Sequence, residues 1–393
     1  MKRTLRTFQV ALSLLTFVAV NDAFAQCPVA EVISGLRMPL GITLSNRNNL
    51  IVSETGTRQL HSGRISIVDP DGTQRTLLDG LPADINDVNE PSGPAGVFMR
   101  GQTLYVAIGI GNTILPGPFP GTATANPNPS SPIFSSVLAI HFSANAEKIT
   151  TGFLLTPADH LALANGEQVT LSNGGGDKIT TQLVANFADF TPNPTPTYPA
   201  NVRGSNPFDL VAVGNRLYVT DGGQNAVWKV DLSTGSFSKL VTFPNIPNPL
   251  FNPTPPPPSL GGPFVEAVPT GIQEHKGRLF VTLFRGFPFP AGASVVERID
   301  PATGNHVPFI TELKTAIDVL PLTDRGTTSY LVLQHASGPV LSGPGILSQF
   351  DSTGSSSTTI ASCLMRPTSM TRDDKTGAIY ITELQNGRVV VIE

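Results

Sequence analysis

The chain has 393 residues and a formal net charge of −4, with 37 Gly, 36 Pro, 21 Phe, one Trp and charged residues at 14% of the total. Glycine is far too sparse for a collagen repeat, and a hydrophobic share of 40% supplies the core that a disordered chain lacks. No Lys/Arg cluster lies beyond the N-terminus, so composition excludes a nucleic-acid or anionic-membrane footprint.

At the N-terminus, Lys2, Arg3 and Arg6 precede the apolar run Val10 to Val20, and Ala23-Phe24-Ala25 forms a small-x-small site. The pattern predicts a signal peptide over residues 1–25, cleaved before Gln26, and an exported domain, periplasmic or extracellular, over 26–393. No later apolar run is long enough to span a membrane. The two cysteines, Cys27 and Cys363, would meet an oxidising compartment, where they either bridge or stay as buried thiols; the sequence leaves both open.

Three patterns then recur in the same order along the chain. Entry turns begin at Pro39, Pro94, Pro207, Pro269, Ala316 and Pro367. About ten residues after each, a β-rich run ends at Glu54, Ile108, Asp221, Leu283, Gln334 and Glu383. An alternating run follows, ending at Asp69, His141, Asp231, Asp300, Asp351 and Glu393. After four of these runs an Asp-to-Gly turn leads into another strand, because Gly supplies positive φ and Asp bonds its own turn. Six units of four antiparallel strands predict an all-β fold, a six-bladed β-propeller. The sixth unit lacks a fourth strand, and residues 30–36 resemble the fourth strands elsewhere. The N-terminal strand is therefore expected to complete the last blade and close the ring.

Uneven spacing of the entry turns places insertions at about 142–206 and 245–263. The second contains four consecutive prolines, 255–258, whose extended polyproline conformation braces a loop or docks a partner.

Several stretches resemble the ScyD/ScyE family: Val265 to Gly271 continuing to Gly286-Phe287-Pro288-Phe289-Pro290, then Ser205 to Asn225, Ile317-Asp318, Gly343 to Gly345 and Arg366 to Met370. That resemblance covers nearly the whole mature chain and implies a six-bladed NHL-like propeller associated with biosynthesis of the pigment scytonemin. Leu283 stands where the family has an acidic residue, Asp209 where Gly or Ser is usual, and residues 191–201 are Pro-rich rather than Asp/Gly-rich.

No nucleophile elbow, zinc helix, CxxC pair or phosphate loop occurs, and the six histidines are scattered. What remains is geometry. Asp209 and Asp318 occupy equivalent entry-turn positions of alternate blades and face a common axis, with Glu266 placed to reach the same channel mouth. Three hard oxygen donors suit Ca2+ or Mg2+; alternatively these carboxylates cap backbone amides or pair with Arg203, Arg285 or Arg366. Glu54, Asp221 and Glu383 recur with the repeat and are read as holding strand-end turns. Phe264, Phe284, Phe287 and Phe289 are candidates for an apolar contact face, and Phe287 and Phe289 are expected to join Asp209, Glu266 and Asp318 in binding a ligand at the channel mouth. Two functions follow. One is a monomeric module binding a small molecule or protein on one propeller face. The other is a divalent-metal-dependent hydrolase of lactonase or strictosidine-synthase type, or an extracytoplasmic enzyme acting on an aromatic pigment precursor.

Overall fold

The computed structural model describes residues 27–148, 151–254 and 259–393. The expected signal peptide with its cleavage site before Gln26, and the proline run 255–258, lie outside the described residues.

Six antiparallel sheets surround one axis as a β-propeller. Blade one takes Pro39–Leu44, Leu50–Glu54, Gly63–Val68 and Gln74–Leu81 in chain order from the axis outward. The other innermost strands are Pro94–Arg100, Pro207–Val213, Pro269–His275, Ala316–Asp324 and Pro367–Arg372. Each packs against the next, and Pro367–Arg372 packs against Pro39–Leu44 to complete the circle. The β-rich second strands are buried almost throughout, as in Leu50–Glu54, because both of their faces lie between neighbouring blades.

Every entry turn carries a register shift, for example between Pro39 and Ile42 or between Pro207 and Leu210. Such a bulge bends the strand and re-aims one residue, here towards the axis. Buried hydroxyls then tie blade to blade. Ser53 donates to the Ala95 carbonyl, Thr220 to Thr270 at 2.5 Å, Thr282 to Ile317 at 3.1 Å and Thr382 to Leu40 at 3.4 Å. Glu54, Asp221 and Glu383 are fully buried and hold the strand-end turns: they accept the backbone N–H of Arg37, Asn206 and Met365 respectively. Each also accepts from the third strand of its own blade, through Arg64, Trp228 and Arg388. In blade five an uncharged Gln334 does the same for the Lys314 N–H at 2.9 Å.

The ring closes through the N-terminal strand. Ala30–Ser34 pairs antiparallel with Arg388–Ile392, from Ala30 opposite Val391 to Ser34 opposite Arg388. Regular pairing stops short of the expected residue 36, but Leu36 still donates its N–H to Gly387 and is buried. Cys27, just before this strand, is disulfide-bonded to Cys363 on the fourth strand of blade five. The bridge fastens the closing strand to the neighbouring blade.

Two blades depart from four strands. The first insertion climbs the rim of blade one as Phe153–Leu154, parallel to its outer strand, and crosses as the helix Pro157–Ala164. It then descends as Val169–Ser172 on the edge of blade two. A capping box between Thr156 and Asp159 and Pro157 at the first turn start that helix. Its extra strands cover two sheet edges that would otherwise offer unpaired backbone groups.

A Cys27→Ser/Cys363→Ser variant is expected to fold but to lose roughly 2–4 kcal/mol in chemical denaturation. Deleting residues 31–36 removes the closing strand, and loss of a cooperative unfolding transition is expected.

Candidate functional site

The entry bulges bring one residue per blade to the axis: Gly41, Gly96, Asp209, Gly271, Asp318 and Ser369. The space left among them is about 10 Å3, room for at most about one water. Each aspartate lies over a glycine of the preceding blade. A Cβ on Gly96 would stand 2.5 Å from the Asp209 Cα, and one on Gly271 2.7 Å from the Asp318 Cα. Each carboxylate also reaches the following blade. Asp209 Oδ2 accepts the Ile272 N–H at 3.0 Å. Asp318 Oδ2 accepts the Met370 N–H at 2.8 Å and the Ser369 hydroxyl at 3.3 Å, while Oδ1 accepts the Val319 N–H at 2.8 Å.

Burial pushes Asp209 up to about 7. Asp318 is raised well above the usual carboxylate range, first by burial and then by repulsion from Asp209. Near neutral pH the pair therefore holds a proton, as two carboxyls in one enclosed site do.

Glu266 is not part of this pair. It forms an ion pair with Arg203 in a separate cleft. With the axial oxygens already engaged by backbone amides and the third carboxylate elsewhere, these residues do not form one donor set for Ca2+ or Mg2+. Among the described residues no group of three or more His, Cys, Asp or Glu gathers as a metal site.

The cleft holding Glu266 has a volume of about 680 Å3. Innermost strands run away from the entry turns, so blade-to-blade linkers and second-to-third-strand loops all emerge on one face, the entry face. Three accessory hairpins wall the cleft there: Asp84–Ile85 with Pro91–Ser92, Ile114–Pro116 with Ala123–Ala125, and Phe190–Pro192 with Val202–Gly204. They brace one another. Asn201 accepts the Ala123 N–H at 2.8 Å and donates to the Asn193 carbonyl at 2.7 Å, and Asn206 accepts the Ile110 N–H at 3.0 Å. Ile110, Ile114, Phe119 and Val202 supply apolar wall, and Gly204, Gly222 and Gly223 bring bare backbone to the surface. Arg203 is held below its ordinary value by burial, and burial raises Asp87, which faces the same space. A smaller cavity of about 230 Å3, over the channel mouth at Leu40, Phe208 and Leu384, shares Asn86 and Asn206 with the cleft.

Phe287 and Phe289 lie on the same face in blade four, away from both cavities. Their rings meet edge to face at 6.0 Å; Phe289 contacts Phe284 at 5.8 Å, and Phe284 contacts the buried His335 at 5.7 Å. Phe287 is exposed and Phe289 half-buried, so the outer ring stands on an aromatic stack rooted in the core. His335 and His160 are each lowered to about 4, mainly by burial. His335 bonds the Pro367 carbonyl, and His160 the Gly80 carbonyl and Ser131 hydroxyl. Both are neutral structural groups near pH 7.

The fold and its loop-bearing face define a six-bladed propeller with a cleft on the entry face. No protein-family model matches the sequence, and no curated protein sequence matches it. Among solved structures it is similar to a gluconolactonase from Xanthomonas campestris, at 11% identity and TM-score 0.50, over 92% of this chain and 88% of that one. It is also similar to a virginiamycin B lyase from Staphylococcus aureus, at 13% identity and TM-score 0.44, over 90% of this chain and 94% of that one. At such identity the likeness to the gluconolactonase is one of fold.

The axial pair makes a signed pH prediction. Its raised folded-state pKa values give stability that is full below the ordinary Asp value and lost as pH rises through about 7. His160 and His335 act oppositely, costing stability as pH falls from their ordinary value towards about 4. The test is therefore a difference. Asp209→Asn should gain on the wild type by roughly 1 kcal/mol or more in urea unfolding between pH 5 and pH 8. A gap that stays constant with pH would show that Asp209 is ionised throughout.

Proposed function

We propose that the protein is an exported, ScyD/ScyE-like propeller that binds an electroneutral small molecule in the entry-face cleft. The observation that carries this reading is the cleft itself: about 680 Å3, within the ordinary range for small-molecule sites and walled about equally by apolar side chains and by polar ones such as Asn86, Asn193, Asn201 and Asn206. Its charged lining residues are of low net effect, because Arg203 and Glu266 neutralise each other and burial disfavours the Asp87 charge. A strongly anionic ligand would find no unpaired cation there, and a cationic one would meet only Asp87, whose charge burial disfavours. Export rests on the charged, apolar and small-x-small segments of residues 1–25 and on a disulfide of the kind oxidising compartments permit. The ScyD/ScyE resemblance rests on the segments from Val265 to Pro290 and from Ser205 to Asn225.

A binding role is favoured over metal-assisted hydrolysis because the axial carboxylates are committed to the Ile272 and Met370 amides. Thermal-shift screening of the mature protein against neutral small molecules should yield stabilising compounds. Their affinity should fall at least about tenfold in Val202→Trp, which fills the cleft. Calorimetric titration with Ca2+ and Mg2+ forms the opposing arm. Micromolar binding abolished by Asp209→Ala/Asp318→Ala would overturn the reading and make lactones and esters the substrates to test.

A further inference from the structure

Exposed large hydrophobic side chains are unevenly distributed on this molecule. Of the fifteen among the described residues, eleven lie on loops of the entry face. Six of them, Leu250, Phe251, Leu260, Phe264, Phe287 and Val340, form one sector contributed by three neighbouring loops, with the short connection at Lys314 between the last two, and are between 37% and 61% exposed.

The loops are tied together at their bases. Pro247 pairs with Phe264, Leu260 donates its N–H to the Leu250 carbonyl at 3.1 Å, and Asn248 donates to the carbonyls of Leu260 and Gly262. Gly261 lies against Pro288, where an added Cβ would stand 3.1 Å away, and the Val340 N–H bonds the Pro288 carbonyl at 3.2 Å. Residues 243–265 contain no charged residue, 335–350 none but His335, and 284–296 only Arg285, which is buried with its Nε on the Ala293 carbonyl. Pro247, Pro249 and Pro263 in the first loop, Pro288 and Pro290 in the second and Pro339 and Pro344 in the third fix φ at those positions.

The opposite face has the reverse character. Its hairpins between first and second strands carry a basic residue in every blade, Arg47, Arg100, Arg216, Lys276, Arg325 and Lys375, with Glu274, Asp324, Asp373 and Asp374 among them, and its hairpins between third and fourth strands carry Asp69, Asp231, Asp300 and Asp351.

We propose that this sector seats the propeller on an electrically neutral lipid surface, with the charged opposite face turned to water. Charge decides the occupant: apolar tips without cations suit a zwitterionic bilayer and offer nothing to an anionic one. Shape agrees. The six side chains stand out on separate loops and line neither cavity of the entry face, so a fluid interface can receive them without a matching groove. The proposal uses residues distinct from the cleft and is independent of the ligand assigned to it.

The experiment is flotation of the mature protein with phosphatidylcholine vesicles, beside a Phe251→Ser/Phe264→Ser/Phe287→Ser variant whose folding is checked by thermal unfolding. The wild type should float equally at about 0.1 and about 1 M NaCl. The variant should partition at least about tenfold less. The proposal falls if the wild type does not float. It falls also if flotation requires anionic lipid and salt reverses it. Concentration-dependent dimerisation of the wild type, abolished in the variant, would overturn it by assigning the sector to a second copy. The cleft titration would stand after any of these results.

Discussion

Six sheets share one axis, and the space on that axis is smaller than a side chain. A position where six strands converge accepts glycine, serine, or a residue that can lean onto its neighbour. Asp209 and Asp318 lean in this way, each over a glycine behind and onto an amide ahead. The bulge at every entry turn, the hydroxyls linking second strands to the next blade, and the carboxylates fixing strand-end turns all serve to bring the inner strands to this distance. Loops on the entry face inherit their positions from that arrangement, and so does the cleft.

The two axial aspartates, Asp318 buried and Asp209 half-buried, carry the main electrostatic tension of the fold. Neither has a cationic partner, and both depend on backbone N–H groups and a retained proton. Buried carboxyls of this kind are tolerated where hydrogen bonds satisfy them and a charge need not form. Their alternation, blades three and five, leaves Gly271 between them, so the bulk of one never competes with the bulk of the other. The axis is thus occupied by an acid pair whose oxygens accept backbone amides of the following blades.

The blade count, the closing strand and the axial placement of Asp209 and Asp318 were legible in the sequence because every blade needs the same turn, second strand and third strand. Repetition converts a weak local pattern into a strong one. Features arising between blades left no such trace. The fifth strands on blades one and two come from an insertion whose pairing depends on edges it meets only after folding. The cleft depends on contacts such as Asn201 with Ala123, which no periodicity encodes. Glu266 sits close in sequence to an entry turn yet turns outward to Arg203, one of three arginines that stood as equal candidates. Asp87 looks like any loop aspartate until the hairpins around it remove water. Phe287 and Phe289 stood out as an apolar pair, but the way Gly261 and Val340 join them to neighbouring loops is a tertiary fact.

The closing strand also imposes an order in time. Ala30–Ser34 is synthesised early and Arg388–Ile392 late, yet neither completes its sheet without the other. Blades one to five can form from contiguous segments, whereas blade six must wait for both. Contacts between residues so distant in the chain form slowly, since loop closure precedes the gain from pairing. During that wait the outer edge of Arg388–Ile392 is open, and an intact neighbour could pair with it. The Cys27 to Cys363 bond, formed on a blade already complete, would hold the early strand beside the gap it has to fill and shorten the interval in which the ring stands open.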